Sequence, residues 1–327
     1  MSIWSESPEI IRNFLVYLKN VKNKSDKTIS EYFFDLRTFF RYYSVRDNLN
    51  IVKNDQKFAE ICINYVNLYV IKKINNIEIL EYINFLSQYR ANKASTRARK
   101  ISSLKSFFRY LSQNLELINK NPVENIESTK IKKSLPKFLD LDQCKQLLES
   151  VKNISSKNAL RDYCIILFFL NCGMRLSELV GININDINSD GSVRILGKGN
   201  KERIIYLPTS CLEALENYKH VRNIATGKDK YALFTSRNRR RLSVKTVQFF
   251  IKKYFMISGL SSYNFSVHKL RHTAATLMYQ HSNVDIKILK EILGHENIAT
   301  TEIYTHTSSK FVKEALESNP LAKLKIN

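Results

Sequence analysis

The chain reads as a mainly α protein of two domains. An all-helical N-terminal domain precedes a mixed, mostly helical C-terminal domain with one small antiparallel sheet. Three observations predict this. At 327 residues the chain is long for one small domain and suits two. Only 8 Gly and 5 Pro punctuate it, while Ile, Leu, Lys and Asn abound, which favours helices over turn-rich β structure. Apolar residues recur at helical spacing in segment after segment, whereas one short stretch alone reads as a hairpin.

Taken in order, residues 8–21 (PEIIRNFLVYLKNV) place Ile10, Ile11, Phe14, Leu15 and Leu18 at helical spacing. In SDKTISEYFFDLRTFFRYY, Thr28 and Glu31 form a capping-box pattern, and Ile29, Tyr32, Leu36, Phe39 and Tyr43 mark one apolar stripe. Residues 45–76 are less periodic and predict a loop with a further helix around Phe58–Tyr69. Helices follow at Ile77–Arg90 and Ser95–Leu111. The latter turns Ile101, Leu104, Phe108 and Leu111 to a core. Its opposite face carries Ser95, Arg99, Ser102 and Ser106. Small hydroxyls beside an arginine let a helix lie close to a phosphate backbone, and they equally fit a solvated face. The polar stretch 121–139 holds Pro122, Pro136 and a lysine cluster, so 128–136 is expected to link domains spanning 1–127 and 137–327. Tyr163–Leu170 (YCIILFFL) reads as a buried helix. In SVRILGKGNKERIIYLP (192–208), two β-branched runs flank a Gly-Lys-Gly-Asn-Lys turn, which signals the hairpin.

A net charge of +22 makes a polyanion the natural partner, although a Lys- and Asn-rich coding bias would also raise it. The five cysteines are scattered without a CxxC, as suits a reducing compartment rather than a zinc ribbon or disulfide framework. MSIWSESPEI does not read as a signal peptide, and the longest apolar run is far short of the ~20 residues a span needs. A cytoplasmic location is the expectation.

Four segments of the second domain carry candidate chemistry. NCGMRLSELVGI holds Arg175 with Glu178 one turn on; Lys198 sits at the hairpin tip. In VHKLRHTAATLM, His268 and Arg271 share a helix face, and GHENIATTEIYTHT holds His295 and Tyr304. Each is weak alone, since Tyr304 is one of 17 tyrosines. HKLRH carries lysine where a zinc-protease helix carries its glutamate base, and GKGNK lacks phosphate-loop spacing, so neither metal, cofactor nor NTP is expected. As a set the residues suit metal-free phosphoryl transfer. Guanidinium forks clamp charge on a phosphorane. A tyrosine with pKa near ~10 needs a cationic site to act as phenoxide, and a mobile lysine protonates the leaving hydroxyl. A covalent ester stores the phosphodiester energy, so ATP is not needed.

CGMRLSELVGI, ILGKGNKERIIYLP, HKLRHTAATLM and ILGHENIATTEIYTH, in this order, resemble the tyrosine recombinase (phage integrase) superfamily, most closely its Xer-type bacterial members. SDKTISEYFFDLRTFFRYY and STRARKISSLKSFFRYL resemble the family's core-binding domain. The resemblance implies that Arg175 and Arg271 hold the scissile phosphate, Lys198 is the general acid, and His268 takes the tyrosine proton. His295 becomes a further phosphate donor, and Tyr304 the nucleophile that forms a 3′-phosphotyrosyl bond. Glu178 orients Arg175 or a neighbour, while His272 and His306 are structural or peripheral. DNA contacts fall on Lys27, Thr28, Ser95, Arg99, Ser102, Ser106, Lys201 and Arg203. The stretch between HKLRH and LGH is one residue longer than the usual Xer spacing, which bears on the local loop and not on the catalytic set.

By the same resemblance, two domains clamp double-stranded DNA at a specific, dif-like site. Four protomers, identical or paired with a paralogue, hold two sites and exchange strands through a Holliday junction. A septal DNA translocase is a further implied partner. Phe311, Val312, Ala315 and Leu316 in Ser309–Leu321 lie at helical spacing, as in the family's helix that docks on a neighbouring subunit; packing on its own domain is the alternative. Chromosome dimer resolution and mobile-element integration or excision remain equally open. A type IB topoisomerase would use similar chemistry, and an architectural DNA-binding protein would share the charge without needing a positioned tyrosine.

Overall fold

A computed structural model describes residues 3–127, 138–197, 201–260, 266–281 and 285–294. The chain divides into two compact units, Met1–Lys133 and Ser134–Asn327. The expected linker at 128–136 and the C-terminal helix at 309–321 lie outside the described residues. Among the described residues there are fifteen α-helices and one two-stranded sheet. The architecture is therefore the mainly helical one, with its small antiparallel sheet in the second unit.

The first unit contains α1 (Ile3–Glu6), α2 (Glu9–Asn20), α3 (Asp26–Val45), α4 (Leu49–Lys53), α5 (Asp55–Glu60), α6 (Leu68–Lys73), α7 (Asn76–Gln88) and α8 (Ala94–Arg109). Its core is aromatic. Phe14, Phe39, Phe40, Phe107 and Phe108 are fully buried and meet mostly edge to face, the geometry ring quadrupoles prefer. The apolar stripe read from α8 is buried in full, through Ile101, Leu104, Phe108 and Leu111.

Two local expectations change. The cap of α3 is Ser25, whose hydroxyl accepts from the Thr28 amide; the helix thus starts ahead of the Thr28–Glu31 pattern, and Glu31 pairs with Arg99 instead. The single helix around Phe58–Tyr69 is two helices, α5 ending at Glu60 and α6 starting at Leu68. Asn67 starts the second by accepting from the Val70 amide. Asn and β-branched residues between them favour turns and caps over helix continuation. After α8 the chain makes one π-helical turn, Tyr110–Asn114.

The second unit contains α9 (Leu141–Lys152), α10 (Ala159–Cys172), α11 (Leu176–Gly181), β1 (Ser192–Leu196), β2 (Glu202–Tyr206), α12 (Thr209–Val221), α13 (Val244–Ile257), α14 (Val267–His281) and α15 (Ile286–Leu293). Buried along most of its length, α10 is the central helix and packs against α9, α12 and α14. It ends at Gly173, a left-handed C-cap with φ +57. A Cβ there would lie 2.8 Å from Leu293, so glycine permits both the turn and the approach of α15. The strands pair antiparallel with Val193 opposite Ile205 and Leu196 opposite Glu202. No described helix is long and apolar enough to cross a membrane.

Candidate active site

The site grows from the end of α10. Past Gly173 the chain turns, and Arg175 becomes the N-cap residue of α11. Glu178, one turn in, reaches back: its Oε2 accepts from the Arg175 amide at 2.7 Å and its Oε1 from Arg175 Nη1 at 2.6 Å. The Arg–Glu spacing seen in the sequence is thus a helix-start lock in which Glu178 accepts from both the backbone and the side chain of Arg175. Glu178 is buried, at 4% exposure. Arg203 on β2 completes its shell with a fork, Nη1 to Oε1 and Nη2 to Oε2, both 2.9 Å. Arg271 of α14 stands 3.9 Å from the same carboxylate. Burial pushes the carboxyl's pKa upward, but the Arg203 hydrogen bonds, the Arg175 amide and the charges overcome it and hold the pKa at about 2.

The three arginines also cap one helix end. The carbonyls of Ile292, Leu293 and Gly294 accept from Arg203 Nε (3.3 Å), Arg271 Nη2 (2.5 Å) and Arg175 Nη2 (2.6 Å) respectively. A helix leaves its last carbonyls without internal partners and carries partial negative charge there. Here that end is matched to three guanidinium groups. Arg271 Nη1 further donates to the Gly173 carbonyl at 2.7 Å. Arg175 remains about one-third exposed (32%), and its two terminal nitrogens are each used once, which leaves guanidinium hydrogens for an anion.

His268 and His272, one turn apart on α14, meet edge to face with centroids 4.6 Å apart. His268 lies on the accessible side. Even so, the atoms packed around it, then Arg271 and Arg175, push its pKa below the ordinary imidazole value. Burial, His268 and Arg271 bring His272 down to about 4. Both rings are therefore neutral at pH 7, and a neutral imidazole is a proton acceptor.

Of the residues singled out in the sequence, the structure brings Arg175, Glu178, His268 and Arg271 into one cluster. Lys198, His295 and Tyr304 lie outside the described residues. The proposed DNA contacts divide. Lys27, Ser95, Arg99, Ser102 and Lys201 are exposed, and Thr28, Ser106 and Arg203 are half-buried. Arg99, though 45% exposed, is bonded to the buried Asp35 at 2.5 Å. Arg203 belongs to the Glu178 cluster. The alternation of β2 already signals this, because Arg203 shares a strand face with the buried Ile205.

Fold and site together define a class: a basic, two-unit helical chain whose second unit gathers three arginines on rigid elements around one buried carboxylate. Residues 137–310 match the phage integrase family, and residues 62–114 match the phage integrase N-terminal SAM-like domain. The chain therefore belongs to the phage integrase family and is a tyrosine recombinase, an enzyme of DNA strand transfer. It is 43% identical to the tyrosine recombinase XerC of Caldanaerobacter subterraneus subsp. tengcongensis, over 97% of this chain and 88% of that protein. With XerC of Thermodesulfovibrio yellowstonii it shares 33% identity over 96% and 97% of the two chains. In fold it resembles XerH bound to a palindromic difH substrate (TM-score 0.67, 23% identity, 94% of each chain covered). It also resembles a lambda integrase tetramer bound to a Holliday junction (TM-score 0.62, 19% identity, 90% of this chain and 79% of that one).

Proposed function

We propose that this recombinase cuts and rejoins duplex DNA at a specific site through a 3′-phosphotyrosyl intermediate on Tyr304. The observation that carries this reading is the convergence of Arg175 and Arg271 on the Glu178 carboxylate and the α15 carbonyls, next to neutral His268. Arginines so fixed are preorganised for the charge that develops on a phosphorane. In the proposed step the Tyr304 oxygen bonds to phosphorus and its proton passes to His268. The bond from phosphorus to the 5′-oxygen breaks, and Lys198 protonates that oxygen. Attack by the 5′-hydroxyl of a partner strand reverses the step and frees Tyr304. His295 adds a donor to the phosphate.

The names of the related structures support a dif-like site for the substrate and a tetramer for the assembly, with a Holliday junction between the two strand exchanges. Lys27, Thr28, Ser95, Arg99, Ser102, Ser106 and Lys201 are the proposed backbone contacts. A septal translocase and a paralogous partner belong to the same reading when the site is chromosomal. Genomic position then separates chromosome dimer resolution from movement of an element.

The test starts from a site selected out of a random duplex pool, rebuilt with a nick that traps the cleaved strand. Wild type is expected to give a covalent adduct on a denaturing gel, in EDTA as well as without it. Tyr304→Phe should bind equally and give none. Adduct from Tyr304→Phe, loss of the reaction on chelation, or no enriched sequence would each contradict the proposal.

A further inference from the structure

The sequence groups Arg203 with Lys201 as a DNA contact, but the geometry gives Arg203 a different task. All three of its guanidinium nitrogens engage protein: Nη1 and Nη2 fork onto Glu178, and Nε donates to the Ile292 carbonyl. Its side chain is only 14% exposed. It also lies directly over Gly294, where an added Cβ would sit 2.8 Å from Nη1 and 3.0 Å from Cζ, at a backbone φ of +63. A side chain at position 294 would have to displace the guanidinium. Glycine there therefore serves the arginine as well as the left-handed C-cap.

We infer that Arg203 is a positioning residue, which holds Glu178 and the end of α15 in place and through them fixes the guanidinium of Arg175. This rests on the function proposed above, in which Arg175 takes the scissile phosphate. Four elements meet at the arrangement: α11 through Arg175 and Glu178, β2 through Arg203, α14 through Arg271, and α15 through three consecutive carbonyls. Without Arg203, Glu178 faces Arg175 alone at hydrogen-bond distance. Its second oxygen loses its fork partner, and the end of α15 loses one of three caps. Lysine cannot replace this, because one ammonium does not present two parallel donors to a carboxylate. The hairpin is tied to the same point through β2. Removing the fork therefore loosens the strand that leads from its turn as well as the arginine.

The test uses the full chain and the nicked duplex described above, with Arg203→Met, Arg203→Lys, Glu178→Gln and the double variant Glu178→Gln/Arg203→Met. Affinity, its salt slope, and the single-turnover adduct rate at saturating DNA are measured from pH 5 to 8. Arg203→Met should bind within about 3-fold of wild type with an unchanged salt slope, because it removes no phosphate contact. Its adduct rate should fall about 100-fold, the scale of a misplaced transition-state donor. Arg203→Lys should recover only part of that loss.

Arg203→Met should also lose rate at higher pH than wild type as the solution is made acid, since Glu178 without its fork takes up a proton at higher pH, in addition to the His268 protonation that both proteins share. The double variant should be no slower than the slower single one, the signature of residues acting as a unit. The inference is overturned by a salt slope reduced by about one with near-normal rate at saturation, which is the mark of a lost phosphate contact. Multiplying losses in the double variant overturn it too. If Arg203→Met does not fold, Arg203→Lys, which keeps the charge, carries the same comparisons. Wild type that forms no adduct removes the proposed function and this inference together; wild-type adduct with unimpaired Arg203 variants removes the inference alone.

Discussion

Each unit holds a buried carboxylate shared among several cations, Asp35 and Glu178, and the two are used differently. In the first unit, Asp35 of α3 is 1% exposed. It accepts from Arg99 at 2.5 Å, Ser103 at 2.7 Å and Lys100 at 3.2 Å. All three donors belong to α8, so Asp35 staples one helix to another. In the second unit, the donors to Glu178 come from a helix start and a strand, with a third arginine at 3.9 Å on α14. The same arginines also hold the carbonyls that end α15. One desolvated carboxylate thus fixes packing between two helices, while the other locks four elements into a preorganised cationic site. Their exposure differs accordingly. Arg99 stays 45% exposed while it holds Asp35, whereas Arg203 and Arg271 are turned inward at 14% and 4%.

The largest expected effect separates the two. Glu178→Gln leaves inward-facing arginines without their counter-charge. It should cost about 4 kcal/mol in unfolding free energy and about 100-fold or more in adduct rate at saturating DNA, read by urea unfolding and single-turnover gels. Asp35→Asn should cost less, about 2 kcal/mol, because Arg99 regains water. It should weaken DNA binding modestly and leave the adduct rate at saturation intact. Equal losses of rate in the two variants would erase the distinction between staple and hub.

A smaller effect comes from acid. The six histidines all lie in the second unit. The pKa of His272 is depressed to about 4, and that of His268 is lowered from its usual value. The unfolded chain then binds protons that the folded unit refuses. Stability of the second unit should fall as pH drops from about 6.5 toward 4. Glu178, with its depressed pKa, contributes stability that is present above about 4.5 and lost only as pH falls toward 2. Hydrogen exchange on the intact chain at pH 7 and 5 should show faster exchange around α14 and α15 than in the first unit. Uniform change across both units would contradict this account of the histidines.

Much of the fold was legible in the sequence because period and burial agree. The stripes of α2, α3 and α8, the apolar α10 and the hairpin follow from spacing alone. What spacing missed were local contests. Ser25 outcompetes Thr28 as a cap by starting the helix earlier, and Asn67 starts a second helix where the weakly periodic stretch was read as a single one. At the site, Arg175 with Glu178 and His268 with Arg271 were visible as helix neighbours. The role of Glu178 as a shared counter-ion was not, because Arg203 reaches it from 25 residues away in sequence. Nor does any residue pattern announce that backbone carbonyls of α15 are arginine partners. The inward alternation of β2 was the one signal available, whereas Arg203 was placed with Lys201 among the DNA contacts.

The most direct measurement of the central claim is the chemical identity of the covalent junction. Adduct formed by wild type on the nicked duplex is digested with protease and nuclease, and the remaining peptide–nucleotide is sequenced by mass spectrometry. The account predicts a nucleotide joined through its 3′-phosphate to Tyr304. Attachment to any other residue, or through a 5′-phosphate, would contradict it.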